Sequence, residues 1–373
     1  MTDLHLKFKQ KLIVSLLIVF IVPPVAFLYY QYLHVLPQKP LPISKKIVEE
    51  IIPMVSDEPH YIYPHKIFKI RGTASKIILS KDGKLAFVAS ASRGIHILSL
   101  QNPLEPTLLY HFKYLNNAYD QARDIVLSPD EKTLFVKDSK VGIYTLDVSN
   151  PSHPKKLALY PNVKSVNKIS LNGDGSRLYL AGSFGLMVAD VHNKNKITII
   201  KKINLGQAYY DVLEIQKNIL YVLSSSGLEV VDITHINDPI FKEGYPTLGT
   251  PLNIILSENR TRAYISSGDS GVEIINIKNI FHPTPFGVFT PVGYTTHTTI
   301  SKDGKRIFIS NLNDDVDIVD VTYPYDAKLL QNIRETHDKG QIWGSVLSPD
   351  EKTLYVAYGV LGIGVVPLIK SKQ

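Results

Sequence analysis

One short phrase recurs seven times along the chain, and its spacing constrains the fold more than any other feature of the sequence. The copies are GIHILSL from Gly94, GIYTLDV from Gly142, GLMVADV from Gly185, GLEVVDI from Gly227, GVEIINI from Gly271, DVDIVDV from Asp315 and GIGVVPL from Gly362. Successive copies begin 48, 43, 42, 44, 44 and 47 residues apart. Runs this short and this rich in β-branched residues predict strands, and a period of about 45 residues is typical of propeller blades.

Each phrase has the same neighbours. Upstream lie two apolar runs joined by a turn such as KDG or PDE, and downstream comes a polar loop followed by a further apolar run such as KKLALY. Four strands per repeat make one antiparallel blade, so the sequence predicts an all-β, seven-bladed β-propeller. The last repeat ends before its fourth strand. Residues 64–70 resemble the missing outer strand, and we expect them to pair with the last blade and close the ring, which removes an exposed edge.

An uncharged segment precedes the repeats. Residues 12–30, LIVSLLIVFIVPPVAFLYY, approach the length of roughly 20 apolar residues that a spanning helix needs. Lys7, Lys9 and Lys11 come just before it, so the positive-inside rule predicts a cytoplasmic N-terminus and a periplasmic or extracellular remainder. The predicted organisation is a cytoplasmic segment 1–11, a transmembrane anchor 12–34, a proline-rich stalk 35–62 and a propeller 63–370. The alternative is a cleaved signal peptide, for which the residues around Ala26 form a poor cleavage site.

Composition and missing motifs exclude several classes of function. Cysteine is absent, which excludes disulfides, thiolate nucleophiles and cysteine-based zinc sites. The formal net charge is +7, but the basic residues are spread along the chain, so we expect no nucleic-acid partner. Because the phosphate-binding G-x-x-x-x-G-K-[ST], the zinc-binding H-E-x-x-H and the dinucleotide-binding G-x-G-x-x-G motifs are absent, we expect no cofactor and assign no metal site.

The phrase, read as x-V-V-D-[VI] followed by Ser/Thr-Asn-x-Pro, resembles the LVIVD repeat of bacterial and archaeal surface proteins. The most similar copies are YTLDVSNP at residues 144–151, VVDIT at 230–234 and IVDVT at 318–322. The repeats depart from the pattern at Ser99, Asn276 and Pro367, which replace its aspartate, and the third repeat lacks its proline. The resemblance implies a propeller outside the cytoplasm and no agreed enzymatic activity.

Several acidic residues suggest metal binding at first sight. At the ends of strands we expect aspartates to accept backbone N–H bonds and set the following turn. The aspartates in this position are Asp147, Asp190, Asp232 and Asp320. A denser group lacks the glycine turn and closing glutamate of a calcium loop, so we expect a solvated edge. Its members are Asn313, Asp314, Asp315, Asp317 and Asp320.

Aligning the repeats on their hairpin turns places one polar residue just before each inner apolar strand. The column contains Lys76, Asp124, Lys168, Asp211, Asn253 and His297, with Gly344 in the seventh repeat. Inner strands surround the channel of a propeller, so we expect a ring at one channel mouth. The ring either neutralises its own alternating charges or binds a small polar or peptide ligand. A one-residue slip in the third or fourth repeat, whose turns differ in length, would scatter it.

Two classes of function remain open. The first is a membrane-tethered, extracytoplasmic propeller that acts as a non-catalytic binding module for protein or glycan partners. The second is a hydrolase or lactonase-like enzyme that uses His297 with Asp211 and Asn253 at the channel mouth, beside Trp343. One histidine with one carboxylate is a small set for a metal site, so the sequence assigns no catalytic residue.

Overall fold

The computed structural model describes residues 61–115, 120–161, 163, 165–204, 207–312, 315–334 and 340–368. These ranges fold into strands and connecting loops, with one short 3₁₀ turn at Pro324–Asp326. No helix within them is long and apolar enough to cross a bilayer. The predicted anchor, residues 12–34, lies outside the described residues, as does the predicted stalk apart from its last two residues.

The strands form seven sheets, one for each repeat. From the inner to the outer strand, blade 1 contains β3 (Ala74–Leu79), β4 (Leu85–Ser90), β5 (Gly94–Ser99) and β6 (Thr107–Phe112). Blade 2 contains β7 (Ala122–Leu127), β8 (Thr133–Asp138), β9 (Gly142–Asp147) and β10 (Lys155–Pro161). Blade 3 contains β11 (Val166–Leu171), β12 (Arg177–Gly182), β13 (Gly185–Asp190) and β14 (Thr198–Ile203). Blades 4 and 5 contain β15 (Tyr209–Gln216), β16 (Ile219–Ser224), β17 (Gly227–Asp232) and β18 (Ile240–Tyr245); and β19 (Asn253–Leu256), β20 (Arg262–Ser266), β21 (Val272–Asn276) and β22 (Thr284–Phe289). Blade 6 contains β23 (Thr295–Ile300), β24 (Arg306–Asn311), β25 (Val316–Asp320) and β26 (Lys328–Ile333).

Blade 7 joins the two ends of the propeller. Its first three strands are β27 (Gly344–Leu347), β28 (Thr353–Ala357) and β29 (Ile363–Pro367), and its outer strand is β2 (Lys66–Phe68), which runs antiparallel to β29. The inner strands contact one another in cyclic order from β3 through β27 and back to β3. The predicted seven blades and the closing strand are both confirmed.

The core lies between neighbouring blades. The second and third strands of each sheet are buried almost throughout, as in β8 and β9, because each of their faces packs on an adjacent sheet. Outer strands are mostly exposed and carry lysines, for example Lys155 and Lys156 in β10 and Lys202 in β14. Charged side chains on an outer edge discourage pairing with another chain.

The glycine that opens the phrase is required by close packing. Gly185 and Gly362 have φ values of +97° and +113°, a region that disfavours side chains. A Cβ atom at Gly185 would overlap the carbonyl oxygen of Ile203, at the end of its outer strand, and a Cβ at Gly362 would overlap the carbonyl of Phe68. Phe68 thus occupies in blade 7 the place that Ile203 has in blade 3.

A fifth strand extends blade 6 beyond the sequence prediction. Tyr61–Ile62 form β1, which pairs in parallel with β26 at Asn332 and Ile333. The backbone N–H of Arg334 donates to the Ile62 carbonyl at 2.9 Å, and its guanidinium lies 4.5 Å from the centre of the Tyr61 ring. A two-residue strand leaves no periodic pattern in the sequence, so the prediction assigned these residues to the stalk.

Candidate functional site: the channel mouth

The residues of the polar column lie at the same height along the inner strands, because each of them pairs with the equivalent residue of the second strand in its blade. Lys76, Lys168 and Asp211 pair with Ala89, Ala181 and Leu223, which occupy equivalent positions in their second strands. The slip considered for the third and fourth repeats does not occur. In five blades the register shifts just before the column residue, at Lys76, Asp124, Lys168, Asp211 and His297. Such irregularities re-aim side chains locally.

Asp124 joins three blades. Its Oδ1 accepts a short hydrogen bond from the Lys76 ammonium of blade 1, and its Oδ2 accepts the backbone N–H of Ile169 in blade 3 at 2.8 Å. Burial alone would raise the pKa of Asp124, but the positive charges of Lys76 and Lys168 outweigh burial and hold that pKa below its usual range. Asp124 is therefore an ionised structural acceptor at neutral pH.

Asp211 has the same role in blade 4. Its Oδ2 accepts the backbone N–H of Ile254 at 3.1 Å and the Asn253 amide at 3.1 Å, and it lies 3.9 Å from the Lys168 ammonium. Burial lowers the pKa of Lys168 by itself, but the carboxylates of Asp211 and Asp124 outweigh it and leave that pKa above its usual range. Two lysines and two aspartates therefore balance in this half of the ring.

The other half of the ring is uncharged. Asn253 Oδ1 accepts the backbone N–H of Thr298 in blade 6 at 3.3 Å. The His297 ring lies against Gly344, where a Cβ atom would be 3.3 Å from its Cγ. Burial lowers the pKa of His297 to about 3, and the charges of Lys168 and Lys76 act in the same direction. His297 is therefore neutral at pH 7, and its buried Nδ1 has no hydrogen-bond partner within the described structure.

A second set of hydrogen bonds between blades comes from the residues that immediately precede the column, and the sequence analysis did not predict it. Ser75 Oγ donates to the Ala122 carbonyl at 3.2 Å, Asn167 Nδ2 donates to the Tyr209 carbonyl at 2.7 Å, and Thr296 Oγ1 donates to the Ile342 carbonyl at 3.3 Å. Each bond crosses to the next blade. An inner strand is a sheet edge with unpaired backbone groups, so these side chains satisfy groups that the ladder leaves open. The small polar residues that precede the column in the sequence could have predicted these bonds.

The ring thus brings together all six predicted residues and uses several of them as bonds between blades. Asp124, Asp211 and Asn253 accept backbone N–H groups, and Lys76 and Lys168 lie against the aspartates. No group of three or more histidine, aspartate or glutamate side chains in the described ranges is placed to hold a metal ion. The ring therefore holds neighbouring blades together through hydrogen bonds and ion pairs. Binding of a ligand by the ring stays a prediction.

The loops around the ring form a surface with two chemically distinct halves, which we call the mouth face. Arg71, Arg123 and Lys140 are exposed on the loops and strand ends of blades 1 and 2. Leu248, Val292 and Val360 lie on loops of blades 5 to 7 and are 66%, 88% and 63% exposed. A basic half therefore faces the solvent beside an apolar half.

The phrase contributes carboxylates at its third position, of which the sequence analysis considered only Asp317; Glu273 and Asp317 are buried and Glu229 is partly buried. Its third position holds Glu229, Glu273 and Asp317 in blades 4 to 6. Glu273 is fully buried and accepts hydrogen bonds from the hydroxyls of Tyr245 and Ser267 and from the Leu248 backbone N–H. The sequence could have indicated this site, because three consecutive repeats have an acidic residue at this position. The other four repeats have His, Tyr, Met and Gly there.

The acidic residues have two different outcomes. Asp147, Asp190, Asp232 and Asp320 each accept the backbone N–H two residues later, at 2.8 to 2.9 Å, which confirms their role in turns. The solvated edge expected around Asp315 and Asp317 is wrong. Both are buried, and Asp317 accepts hydrogen bonds from the amides of Asn311 and Asn332. Asn313 and Asp314 lie outside the described residues.

Comparison with known proteins supports the same architecture. Residues 121–160, which contain the four strands of blade 2, match the LVIVD repeat family. No curated protein matches the chain. Similar solved structures include the β-propeller domain of Cps50 (Swd1) from Myceliophteria thermophila, with 12% identity, a TM-score of 0.67 and coverage of 82% of this chain and 99% of that one.

Two further solved structures are similar to this chain. The WD40 repeats of RRP9 have 12% identity and a TM-score of 0.67, covering 81% of this chain and 96% of theirs. The periplasmic gluconolactonase PpgL of Pseudomonas aeruginosa has 14% identity and a TM-score of 0.61, covering 74% and 88%. Identities this low establish the fold and leave the activity open. The chain thus carries the LVIVD repeat within a seven-bladed β-propeller.

Proposed function

We propose that this protein is a membrane-tethered, extracytoplasmic binding module that holds a protein partner on its mouth face. The observation that carries the proposal is the mouth face itself, where exposed Leu248, Val292 and Val360 lie beside exposed Arg71 and Arg123. Apolar anchors beside charged groups are typical of protein-binding patches. The matching partner surface is an apolar segment flanked by acidic residues, because Arg71, Arg123 and Lys140 are exposed on this face.

The ring beneath this face supports a binding role over catalysis. An enzyme of the lactonase type would need a base in the channel, and the low pKa of His297, about 3, makes its neutral imidazole a weak one. The neighbouring Asp211 accepts the Ile254 backbone N–H and the Asn253 amide. A rigid ring of this kind holds the loops above it in fixed positions, which lowers the entropic cost of binding a partner.

Site-specific photocrosslinking tests the proposed partner surface. A photoreactive amino acid replaces Val292 or Val360 in the full-length chain in its own cells, and Leu108 serves as an equally simple exposed position on the outer strand of blade 1. We expect discrete protein adducts from Val292 and Val360 that are absent at Leu108 and that fall several-fold in an Arg123→Glu background. Identical adducts from all three positions, or adducts to glycan alone, would contradict a protein-binding mouth.

Two companion measurements address the tether and the enzyme alternative. Labelling of intact cells with a membrane-impermeant amine reagent should modify propeller lysines such as Lys156, and carbonate washing should leave the chain in the membrane fraction. Labelling only after lysis would refute the extracytoplasmic location. Hydrolysis of glucono-δ-lactone by the full chain, if abolished by His297→Ala in a folded protein, would favour the lactonase alternative over the binding module.

A further inference from the structure

The face opposite the mouth carries the hairpin turns that join the first two strands of each blade. Neighbouring turns are clipped together in two places with the same chemistry. The Lys81 backbone N–H donates to the Glu131 carboxylate at 2.5 Å between blades 1 and 2, and the Lys302 backbone N–H donates to the Glu351 carboxylate between blades 6 and 7. Adjacent turns are therefore joined by hydrogen bonds at these two junctions.

The turn of blade 4 is shorter than these and changes the surface beside it. Only Lys217 and Asn218 separate β15 from β16, whereas five residues separate β3 from β4 in blade 1. Next to the short turn, between blades 3 and 4, lies a cleft of about 670 Å³ lined by Asn172, Asp174, Arg177, Gln216, Lys217 and Arg260. We call it the hairpin cleft. Its volume falls within the range of roughly 300 to 1,000 Å³ that small-molecule sites occupy.

The carboxylates of the hairpin cleft are engaged by internal donors. Glu214 accepts the Tyr179 hydroxyl at 2.9 Å, the Asn218 backbone N–H at 3.0 Å and the Gly173 backbone N–H at 3.1 Å. Asp174 Oδ1 accepts the Ser176 backbone N–H at 2.8 Å. Hydrogen bonds from Ser176 hold the pKa of Asp174 below its usual range. Glu214 therefore links the turns of blades 3 and 4, whereas Asp174 is bonded within the turn of blade 3.

The cations of the cleft are bonded only to neutral acceptors. Arg177 Nη1 donates to the Asn218 side-chain carbonyl at 2.7 Å, and Arg260 Nη1 donates to the Ile215 backbone carbonyl. Lys217 is exposed at the rim. Among the described residues, none of the three forms an ion pair within 4.0 Å. The cleft therefore holds three positive charges and two carboxylates, Asp174 and Glu214, neither of which lies within 4.0 Å of a cationic nitrogen of Arg177, Lys217 or Arg260.

We propose that the hairpin cleft binds a small, hydroxyl-rich anion, a sugar that carries a carboxylate or a phosphate. Guanidinium groups present several N–H donors in a planar fork that suits both oxyanions, and an ammonium at the rim adds attraction. The exposed amide of Gln216 can both donate and accept, which suits hydroxyl groups. This site lies on the opposite face from the proposed partner surface, so either assignment can fail without the other.

Titration of the detergent-solubilised full-length chain tests the proposal, with glucuronate, glucose 6-phosphate, glucose and inorganic phosphate as probes at low ionic strength. We expect one or both anionic sugars to bind in calorimetry, glucose not to bind, and phosphate to bind at least tenfold more weakly. The relative affinities of glucuronate and glucose 6-phosphate show which oxyanion the cleft prefers.

Charge-removing variants locate the binding. Arg260→Gln and Lys217→Gln should each weaken the binding of the sugar by about tenfold. Lys217→Gln should leave the melting temperature in the absence of ligand within about 1 or 2 degrees, since its side chain is exposed, whereas Arg260→Gln also loses the bond to the Ile215 carbonyl and should lower that temperature. Lys305→Gln removes the same charge from an exposed turn of blade 6 and should change nothing. No binding of either anionic sugar, equal binding of glucose, or equal weakening by Lys305→Gln would overturn the proposal.

Discussion

The imidazole ring of His96 stacks on that of His111 within blade 1, with ring centroids 4.2 Å apart and planes inclined by only 10°. His96 is 1% exposed, and neither of its ring nitrogens has a hydrogen-bond partner in the described structure. Burial lowers the pKa of His96 to about 3, and the positive charges of His111 and Arg71 add to this effect. The folded protein therefore keeps His96 neutral in a range where an unfolded histidine is charged.

Stability should consequently fall as the pH drops below the ordinary histidine pKa of about 6.5, because the unfolded chain then binds a proton that folded His96 does not. The loss from this residue is about 2 kcal/mol at pH 5 relative to pH 7.5. His96→Phe, which keeps an aromatic ring in the stack, should remove that part of the difference in urea unfolding between the two values. Exposed His192→Gln is the control, and equal pH dependence in His96→Phe and wild type would contradict the explanation.

Asp124→Ala should destabilise the propeller by about 3 to 5 kcal/mol, because it leaves the partly buried Lys76 ammonium and the Ile169 backbone N–H without their acceptor. Asp124→Asn keeps an oxygen for the Ile169 N–H and should cost less. Asp147→Ala removes only an exposed turn bond and should cost about 1 kcal/mol. Urea unfolding of the three variants checks this order, and equal losses for Asp124→Ala and Asp147→Ala would show that the ring is not structural.

Gly362→Ala should open the closure of the ring. The new methyl group would meet the Phe68 carbonyl at a backbone φ of +113°, so we expect a loss of at least about 2 kcal/mol from strain and from weakened pairing of β2 with β29. Gly304→Ala is the matched control, since Gly304 also has a positive φ, +68°, but has no atom within 4 Å of an added Cβ. Calorimetric melting of both variants measures how much stability the overlap with the Phe68 carbonyl costs. Equal losses of stability in the two variants would exclude an effect of that overlap.

Asn253→Asp should be more harmful at pH 7 than at pH 4. Asn253 donates to Asp211 at 3.1 Å, and a second carboxylate there would repel the first once both are ionised. The variant therefore loses stability relative to wild type as the pH rises, the opposite sign to His96. Asn253→Ala carries no charge and should cost a similar free energy at both values. Urea unfolding of both variants at pH 4 and pH 7 checks this. An equal loss of stability at the two pH values for Asn253→Asp would contradict repulsion by Asp211.

Most of the fold could be predicted because the phrase repeats. A fixed period, a strand-like composition and the unpaired residues 64–70 were enough to count the blades and to assign those residues to the last blade, where the structure pairs Phe68 with Ile363. The turn role of Asp147 also followed, since it depends only on residues nearby in sequence. What could not be predicted was β1, whose two residues pair through the backbone of Asn332 and Ile333 and leave no pattern of side chains.

The composition of the ring was predictable, but its bonding was not. The column could be read from the alignment, whereas the acceptor role of Asp124 towards the Ile169 N–H depends on how closely two inner strands approach. The hairpin cleft was beyond reach for a similar reason. Turn length shows that blade 4 differs, yet only coordinates show that Glu214 is engaged by Tyr179 while Arg177 and Arg260 are bonded to neutral acceptors.

The pairing of β2 with β29 also sets an order of events during biosynthesis. Phe68 is synthesised well before Ile363, so blade 7 cannot be completed until the ribosome has translated the seventh repeat. Contacts between such distant residues slow folding, and blades 1 to 6 must wait as an open arc with an unprotected sheet at each end. That arc is the stage at which a nascent chain of this protein is most exposed to aggregation and most in need of a chaperone.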